Sequence, residues 1–293
     1  MSLRFLNSKP ALGSRVYIVK RAMRTRFQPR AEIGLTVFLW SLLCIQAVAQ
    51  SGPSDRSASS VDGASMPLDR IVKNLQERNA QRAAALVEFV GTRVYRMQYH
   101  GFPGDRDAEM VVNVTYHSPN AKQFTIVSQK GSQFVIDHVF KKLLEGEQEA
   151  ANDENRRRTA LSTDNYDFSL AGYETSSDGS RYILDLLPKT KNRFLYRGKI
   201  WVDAKDFAVV RIEGAPEKNP SFWIKKTEVA HKYIKVNDFW LPAENHTESV
   251  LRIGGRAVLT IEYRDYKIVK STPLPEAENA HDALKSSQSS NVR

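Results

Sequence analysis

The segment RGKIWVDAKDFAVVRIEG, residues 197–214, is the feature that most narrows the fold of this chain. Side chains of a β-strand alternate between two faces, so the pattern predicts two short strands around a turn at 204–206. One face would hold Ile200, Val202, Phe207 and Val209, and the other Trp201, Ala208, Val210 and Ile212. A solvated antiparallel sheet alternates apolar and polar residues more cleanly. Both faces of this hairpin therefore need a cover: helices, a second sheet or a ligand.

Strand-like alternation recurs along most of the chain between residues 92 and 269. Turn signals separate nine such stretches, at 92–100, 109–117, 122–129, 182–188, 193–203, 207–214, 221–236, 239–253 and 257–269. The pairs Asn237-Asp238 and Gly254-Gly255 predict hairpin turns between the last three. Neighbouring strands joined by tight turns must be antiparallel, and about nine of them curl into a barrel or an open half-barrel.

Two segments have helical spacing instead. The first carries one apolar stripe and is predicted to end at Gly91; the stripe comprises Leu68, Ile71, Leu75, Ala83, Leu86 and Val90. The second spans residues 137–158 and repeats apolar residues at Val139, Phe140, Leu143 and Leu144. The chain therefore predicts an α+β fold, in which helices placed against a concave antiparallel sheet cover one of its faces.

Positive charge is concentrated at the N-terminus. The formal net charge is +10, but residues 1–30 hold eight Lys/Arg and no acid, and 35 basic and 32 acidic residues follow residue 49. The body of the protein is therefore nearly balanced, which argues against nucleic acid as a partner. Aromatic and basic residues do alternate at 222–240. Such a mixture can bind single-stranded nucleic acid, and it suits a lipid headgroup equally well.

The basic start runs into the apolar segment 33–49, which ends in Ala47-Val48-Ala49. This arrangement predicts an export signal peptide at 1–49 that is cleaved after Ala49; an uncleaved membrane anchor is the alternative. Met1 and Met23 both remain possible starts. Residues 50–66 then form a flexible leader, 67–270 a single domain and 271–293 a disordered tail. Cys44 is the only cysteine, so the mature chain would contain no disulfide and no thiolate metal site.

Catalytic and cofactor motifs are not found. The six histidines lack metal-ligand spacing, and no phosphate-binding, dinucleotide-binding or nucleophile-elbow motif occurs. Asp203 and Asp206 flank one turn, where Asp side chains ordinarily bond nearby backbone N–H groups. We therefore expect no catalytic residue, no metal and no cofactor. An exported hydrolase remains a third hypothesis, which substitution of His100, His117 or Asp203 would test.

The order of these elements resembles a known family. An export signal, a leading helix, TRVYRMQY, an inserted helix, then RGKIWVDAKDFAVVRIE, HKYIKVNDFWLPAENHTES and LTIEYRDYKI are similar to the LolA/LolB-like lipoprotein-carrier superfamily, in particular to outer-membrane lipoprotein-sorting proteins. The resemblance covers most of residues 68–269. It implies a half-barrel of nine to eleven strands whose concave, helix-covered face encloses a hydrophobic cavity for acyl chains.

The resemblance also implies a function and a set of site residues. The function is a periplasmic, non-enzymatic and monomeric carrier of lipoprotein acyl chains or lipid, working with inner- or outer-membrane lipoprotein machinery. A sensor of the RseB type or an interaction module of the same fold is the alternative. Arg93 and Arg96 are candidates for an arginine that locks a lid. The lipid-binding residues would be Met97, Tyr99, Val112, Val114, Phe124, Ile126, Val139, Leu143, Leu184, Leu186, Phe194, Tyr196, Ile200, Leu259 and Ile261.

Overall fold

A computed structural model describes residues 66–274 apart from 120, 151–156, 193 and 220. Ten antiparallel strands form one sheet in the order β3-β2-β1-β10-β9-β8-β7-β6-β5-β4. The strands are β1 Leu86–His100, β2 Arg106–His117, β3 Ala121–Gly131, β4 Tyr166–Ser176, β5 Gly179–Pro188, β6 Tyr196–Asp203, β7 Val209–Pro216, β8 Ile224–Val236, β9 Phe239–Leu251 and β10 Arg256–Ser271. The sheet stays open, with β3 and β4 at its two edges, so the predicted antiparallel half-barrel is confirmed.

Strand β4 is the one that the sequence pattern did not predict. Tyr166, Phe168 and Leu170 do alternate with polar residues, but the strand then continues through mostly small and polar residues, so the apolar pattern covers only its first half. The predicted signal peptide with cleavage at Ala49, the leader to residue 65 and the tail beyond residue 274 lie outside the described residues.

The hairpin of β6 and β7 turns at residues 204–206 as predicted. Its register shifts between Trp201 and Val202, so that Val202 pairs with Val209 and Ile200 with Ile212. The shift turns Ile212 to the concave face with Ile200, whereas strict alternation had placed it beside Trp201. On the convex side the guanidinium of Arg211 covers the Trp201 ring, with Cζ 4.6 Å from the ring centroid.

The leading helix spans Leu68–Ala85 and passes directly into β1. It buries Ile71, Val72 and Leu75 against the concave side of β5, β6 and β7. The predicted helix end at Gly91 is wrong, because Leu86–Val90 are already in the strand. Gly91 instead lies where β1 passes the Tyr266 ring, and a Cβ there would come within 3.0 Å of Tyr266 Cδ1.

The second helical segment comprises Gln133–Val135, a π-helical stretch Ile136–Phe140 and Lys141–Ala150; together these are called the inserted helix. It follows β3 through Gly131, whose φ of +84° lies in the left-handed region. A Cβ on Gly131 would lie 2.4 Å from the Asp107 carbonyl oxygen, so only glycine fits this bend. The predicted extension of this helix to residue 158 passes through 151–156, outside the described residues.

Candidate ligand-binding site

The two larger apolar clusters of the structure lie on the concave face of the sheet, one beneath each helix. The first joins β1, β2, β3 and β10 to the inserted helix, with Val139, Phe140 and Leu143 packed on the sheet. The second joins β5, β6 and β7 to the leading helix around Leu75 and Leu184. In both clusters the helix contacts the sheet through apolar side chains.

The structure divides the predicted lipid-binding residues between these clusters. The first cluster contains nine of them, with Ile126 packed against it: Met97, Tyr99, Val112, Val114, Phe124, Val139, Leu143, Leu259 and Ile261. The second contains Leu184, Leu186 and Ile200. Tyr196 is buried between the two, and Phe194 lies half-buried in the connection before β6, in neither cluster. The predicted set is therefore two walls, each covered by its own helix.

A polar strip separates the two clusters. It consists of inward-facing residues of β8 and β9, namely Thr227, His231, Asn245, Thr247 and Ser249. All but His231 are buried. The Thr227 and Ser249 hydroxyls lie 3.1 Å apart, and the Thr247 hydroxyl donates to Asn245 Oδ1 at 3.0 Å. Sequence reasoning missed the strip, although apolar residues do stop alternating between Leu241 and Leu251 while β9 continues.

A small cavity of about 10 Å³ lies where the strip meets the inserted helix. Tyr196, His231, Asn245 and Thr247 supply its polar lining, and Leu143 of the inserted helix closes one side. A volume of this size is close to the minimum for one water molecule. This cavity is therefore far too small to hold an acyl chain.

A buried ion cluster fastens the inserted helix to the sheet. Glu147 of the helix lies 2.6 Å from Arg93 Nη1 of β1 and 2.6 Å from Lys122 Nζ of β3. The three side chains are 2–3% exposed. Arg93 also donates to the Tyr95 hydroxyl at 3.2 Å, and its guanidinium lies over the rings of Phe124 and Tyr263.

The electrostatics of the cluster favour its charged form. Burial alone would lower the pKa of Arg93, but the Glu147 carboxylate outweighs it and raises that pKa well above the ordinary value. Burial likewise raises the pKa of Tyr95, partly opposed by Arg93. The one carboxylate therefore holds two cations in a dry environment, and removing it would leave both uncompensated.

Of the two arginines considered as a lid lock, Arg93 alone faces inward. Arg96 lies three residues further along β1, on the convex face, where it pairs with Glu109 at 2.9 Å and with Glu262. Its side chain is 39% exposed, so its pairs are screened by water. Alternation along the strand explains the difference, because residues at odd numbers from Arg93 to Tyr99 point into the hollow.

The residues considered for hydrolysis do not assemble. His100 pairs with Asp105 at 2.9 Å in an exposed loop, and His117 lies 3.7 Å from Glu88. Asp203 accepts from the backbone N–H groups of Lys205 and Asp206, as a turn residue does. Within the described residues no group of three or more His, Cys, Asp or Glu could hold a metal ion, and no helix there is both long and apolar enough to cross a bilayer.

Comparison with known proteins gives matches chiefly among solved structures. A family model described as "Uncharacterized protein" matches residues 147–277. No curated protein sequence matches the chain.

Three examples come from the solved structures that are similar to this chain. They are a domain assigned to outer membrane lipoprotein sorting from Vibrio parahaemolyticus (13% identity, 74% of this chain and 99% of that one, TM-score 0.33), a DUF1329 family protein from Desulfovibrio piger (13%, 74% and 99%, 0.35) and a LolA superfamily protein from Nitrosomonas europaea (14%, 70% and 94%, 0.29). Two of the three names refer to lipoprotein sorting or to the LolA superfamily, to which the sequence pattern is similar. At these identities and TM-scores the similarity carries no statement about function.

Proposed function

We propose that this protein is a periplasmic, non-enzymatic carrier or binder of lipoprotein acyl chains or lipid, which enter between the inserted helix and the sheet. The observation that supports the proposal is the apolar wall beneath that helix, formed by inward-facing residues of β1, β2, β3 and β10. An acyl chain needs such a wall and no catalytic group, because its sequestration from water is favourable by itself.

The inserted helix could separate from the sheet without loss of backbone hydrogen bonds in the ladder of the sheet. The strands keep their own ladder of hydrogen bonds without it, and the helix keeps its own internal bonds. At its start the Ser132 N–H donates to the Asp107 carbonyl at 2.7 Å, beside the bend at Gly131. At its other end the Arg93–Glu147–Lys122 cluster fastens it. We infer a hinge at the first point and a latch at the second.

Energies of the right size support opening by a guest. Each buried CH₂ group gains about 0.8 kcal/mol, so a chain that buries about ten gains about 8 kcal/mol. Opening separates Glu147 from both Arg93 and Lys122, and loss of a buried ion pair costs about 3 to 5 kcal/mol, so the gain and the cost are of similar size. The acyl chain also replaces helix side chains such as Val139 and Phe140 on the wall, so the exposed apolar surface is covered again.

Binding of a fluorescent fatty acid to the purified protein, followed by lipid mass spectrometry of the protein as isolated, tests the proposal. We expect saturable binding with one or two chains per protein, tighter in Arg93→Gln because the latch is weakened. Arg96→Gln is the matched control, since it removes an arginine from the opposite face of the same strand. No probe binding and no lipid in the isolated protein, together with a protein partner recovered by crosslinking, would favour the sensor or interaction module instead.

A further inference from the structure

The polar strip of β8 and β9 lies between the two apolar clusters of the concave face. Across the sheet, Asn245 and Thr247 stand beside Ile261 and Leu259 of β10, and His231 stands beside Ile212 of β7. Valine or leucine would fill these positions without the penalty of burying polar groups. The strip therefore has a chemistry that packing alone does not require.

The side chains around the cavity are neutral hydrogen-bonding groups. Desolvation lowers the pKa of His231 to about 4, and burial raises the pKa of Tyr196 above its ordinary value. Both are thus uncharged at neutral pH. The neutral imidazole, the amide of Asn245 and the hydroxyls of Tyr196 and Thr247 together offer donors and acceptors to the cavity. Such a lining suits an ester, an amide or a hydroxyl, whereas a phosphate or carboxylate calls for cations.

The position of the strip fits one end of an amphiphile. Leu259 and Ile261 belong both to the acyl wall and to the lining of the cavity. Leu143 covers the cavity from the inserted helix, so the movement that uncovers the wall also uncovers the strip. A chain lying along the wall would bring the atoms at its head to Asn245 and Thr247.

We propose that the cavity end of the polar strip, together with Tyr196 of β6, is a binding subsite for the neutral ester or amide linkage of an acylated guest, with Tyr196, His231, Asn245 and Thr247 as its hydrogen-bonding residues. The inference rests on the proposed function and specifies its ligand class. An acyl chain joined to glycerol and one joined to a peptide amine share this linkage chemistry, and the probes below separate them.

Three pyrene-labelled probes of equal chain length test the subsite: an alkane, a monoacylglycerol and an N-acylated dipeptide amide. We expect wild type to bind at least one linkage-bearing probe about tenfold more tightly than the alkane. Thr247→Val, of nearly the same shape, and Asn245→Leu should reduce that preference while affinity for the alkane is kept. Thr260→Val, on the convex side beside His246, is the control and should leave the preference intact.

The imidazole signals of His231 provide a readout that needs no variant. They should shift on addition of the preferred linkage-bearing probe and much less with the alkane. Equal affinity for all three probes, or an undiminished preference in a folded Thr247→Val protein, overturns the subsite but leaves the acyl carrier standing. Failure of wild type to bind any probe overturns both.

Discussion

The two helices cover the same concave face by different means. The leading helix continues into β1 without a connecting residue, and Arg82 near its end donates to the carbonyls of Asp206 and Phe207 at 2.8 and 2.9 Å. The inserted helix begins at a glycine bend and is fastened by buried charges. Under the proposed function, the leading helix belongs to a permanent core and the inserted helix is the cover that moves, although both pack on the sheet through apolar side chains.

Among substitutions that distinguish the two helices, Glu147→Gln is expected to have the largest effect. The change leaves Arg93 and Lys122 buried without their carboxylate, so we expect the free energy that holds the inserted helix closed to fall by about 3 to 5 kcal/mol. Hydrogen exchange should accelerate in the inserted helix and stay slow in the leading helix. Glu262→Gln, at the exposed pair with Arg96, should cost about 1 kcal/mol or less. Equally faster hydrogen exchange in both helices would contradict the assignment of the inserted helix as the part that opens.

Truncation of one leucine in each helix should separate the core from the cover. Leu75 is fully buried under the leading helix, so Leu75→Ala should lower the free energy of global unfolding by about 2 to 5 kcal/mol in denaturant titration. Leu143→Ala removes a contact of the inserted helix and should act chiefly on its local opening, with faster uptake of an acyl probe. Faster uptake in Leu75→Ala alone would reverse the roles assigned to the helices.

A pH dependence should arise at the boundary between the two regions. His231 has a pKa of about 4 in the folded protein and about 6.5 when unfolded. Between these values the unfolded chain binds more protons, so the free energy of unfolding should decrease as the pH falls from about 6.5 to about 4, by roughly 1 to 3 kcal/mol. In His231→Gln this decrease in the free energy of unfolding should be absent. An identical pH profile for both proteins in chemical denaturation would contradict the assignment.

The smallest effect is expected at the end of the leading helix. Arg82→Gln removes two hydrogen bonds to the turn between β6 and β7 while keeping part of the side-chain packing. We expect a loss of about 1 to 2 kcal/mol in thermal unfolding and no change in acyl-probe affinity, because this contact belongs to the permanent core. Lys73→Gln on the exposed side of the same helix is the control. A changed probe affinity would show that the leading helix also moves.

Period-two alternation predicted nine of the ten strands and the inward position of most wall residues. It could not predict the register shift at Val202, which places Ile212 on the concave face, because such a bulge depends on pairing between strands. The change from helix to strand at Leu86 was missed because an apolar stripe of helical spacing happened to continue into β1. The Arg93–Glu147–Lys122 cluster joins residues that are far apart in the chain. The spacing of residues along the sequence therefore could not predict it.

The pairing of β1 with β10 joins the two ends of the folded chain inside the sheet. The first and last strands along the chain lie side by side inside the sheet, as its third and fourth strands, with Leu86 opposite Ser271 and His100 opposite Arg256. During synthesis the edge of β1 that pairs with β10 stays unpaired until about 170 further residues have been made. Closing a loop of that length is slow. A protein shortened before Arg256 would thus lose an interior strand and not an edge, which separates the three strands β1–β3 from the six strands β4–β9.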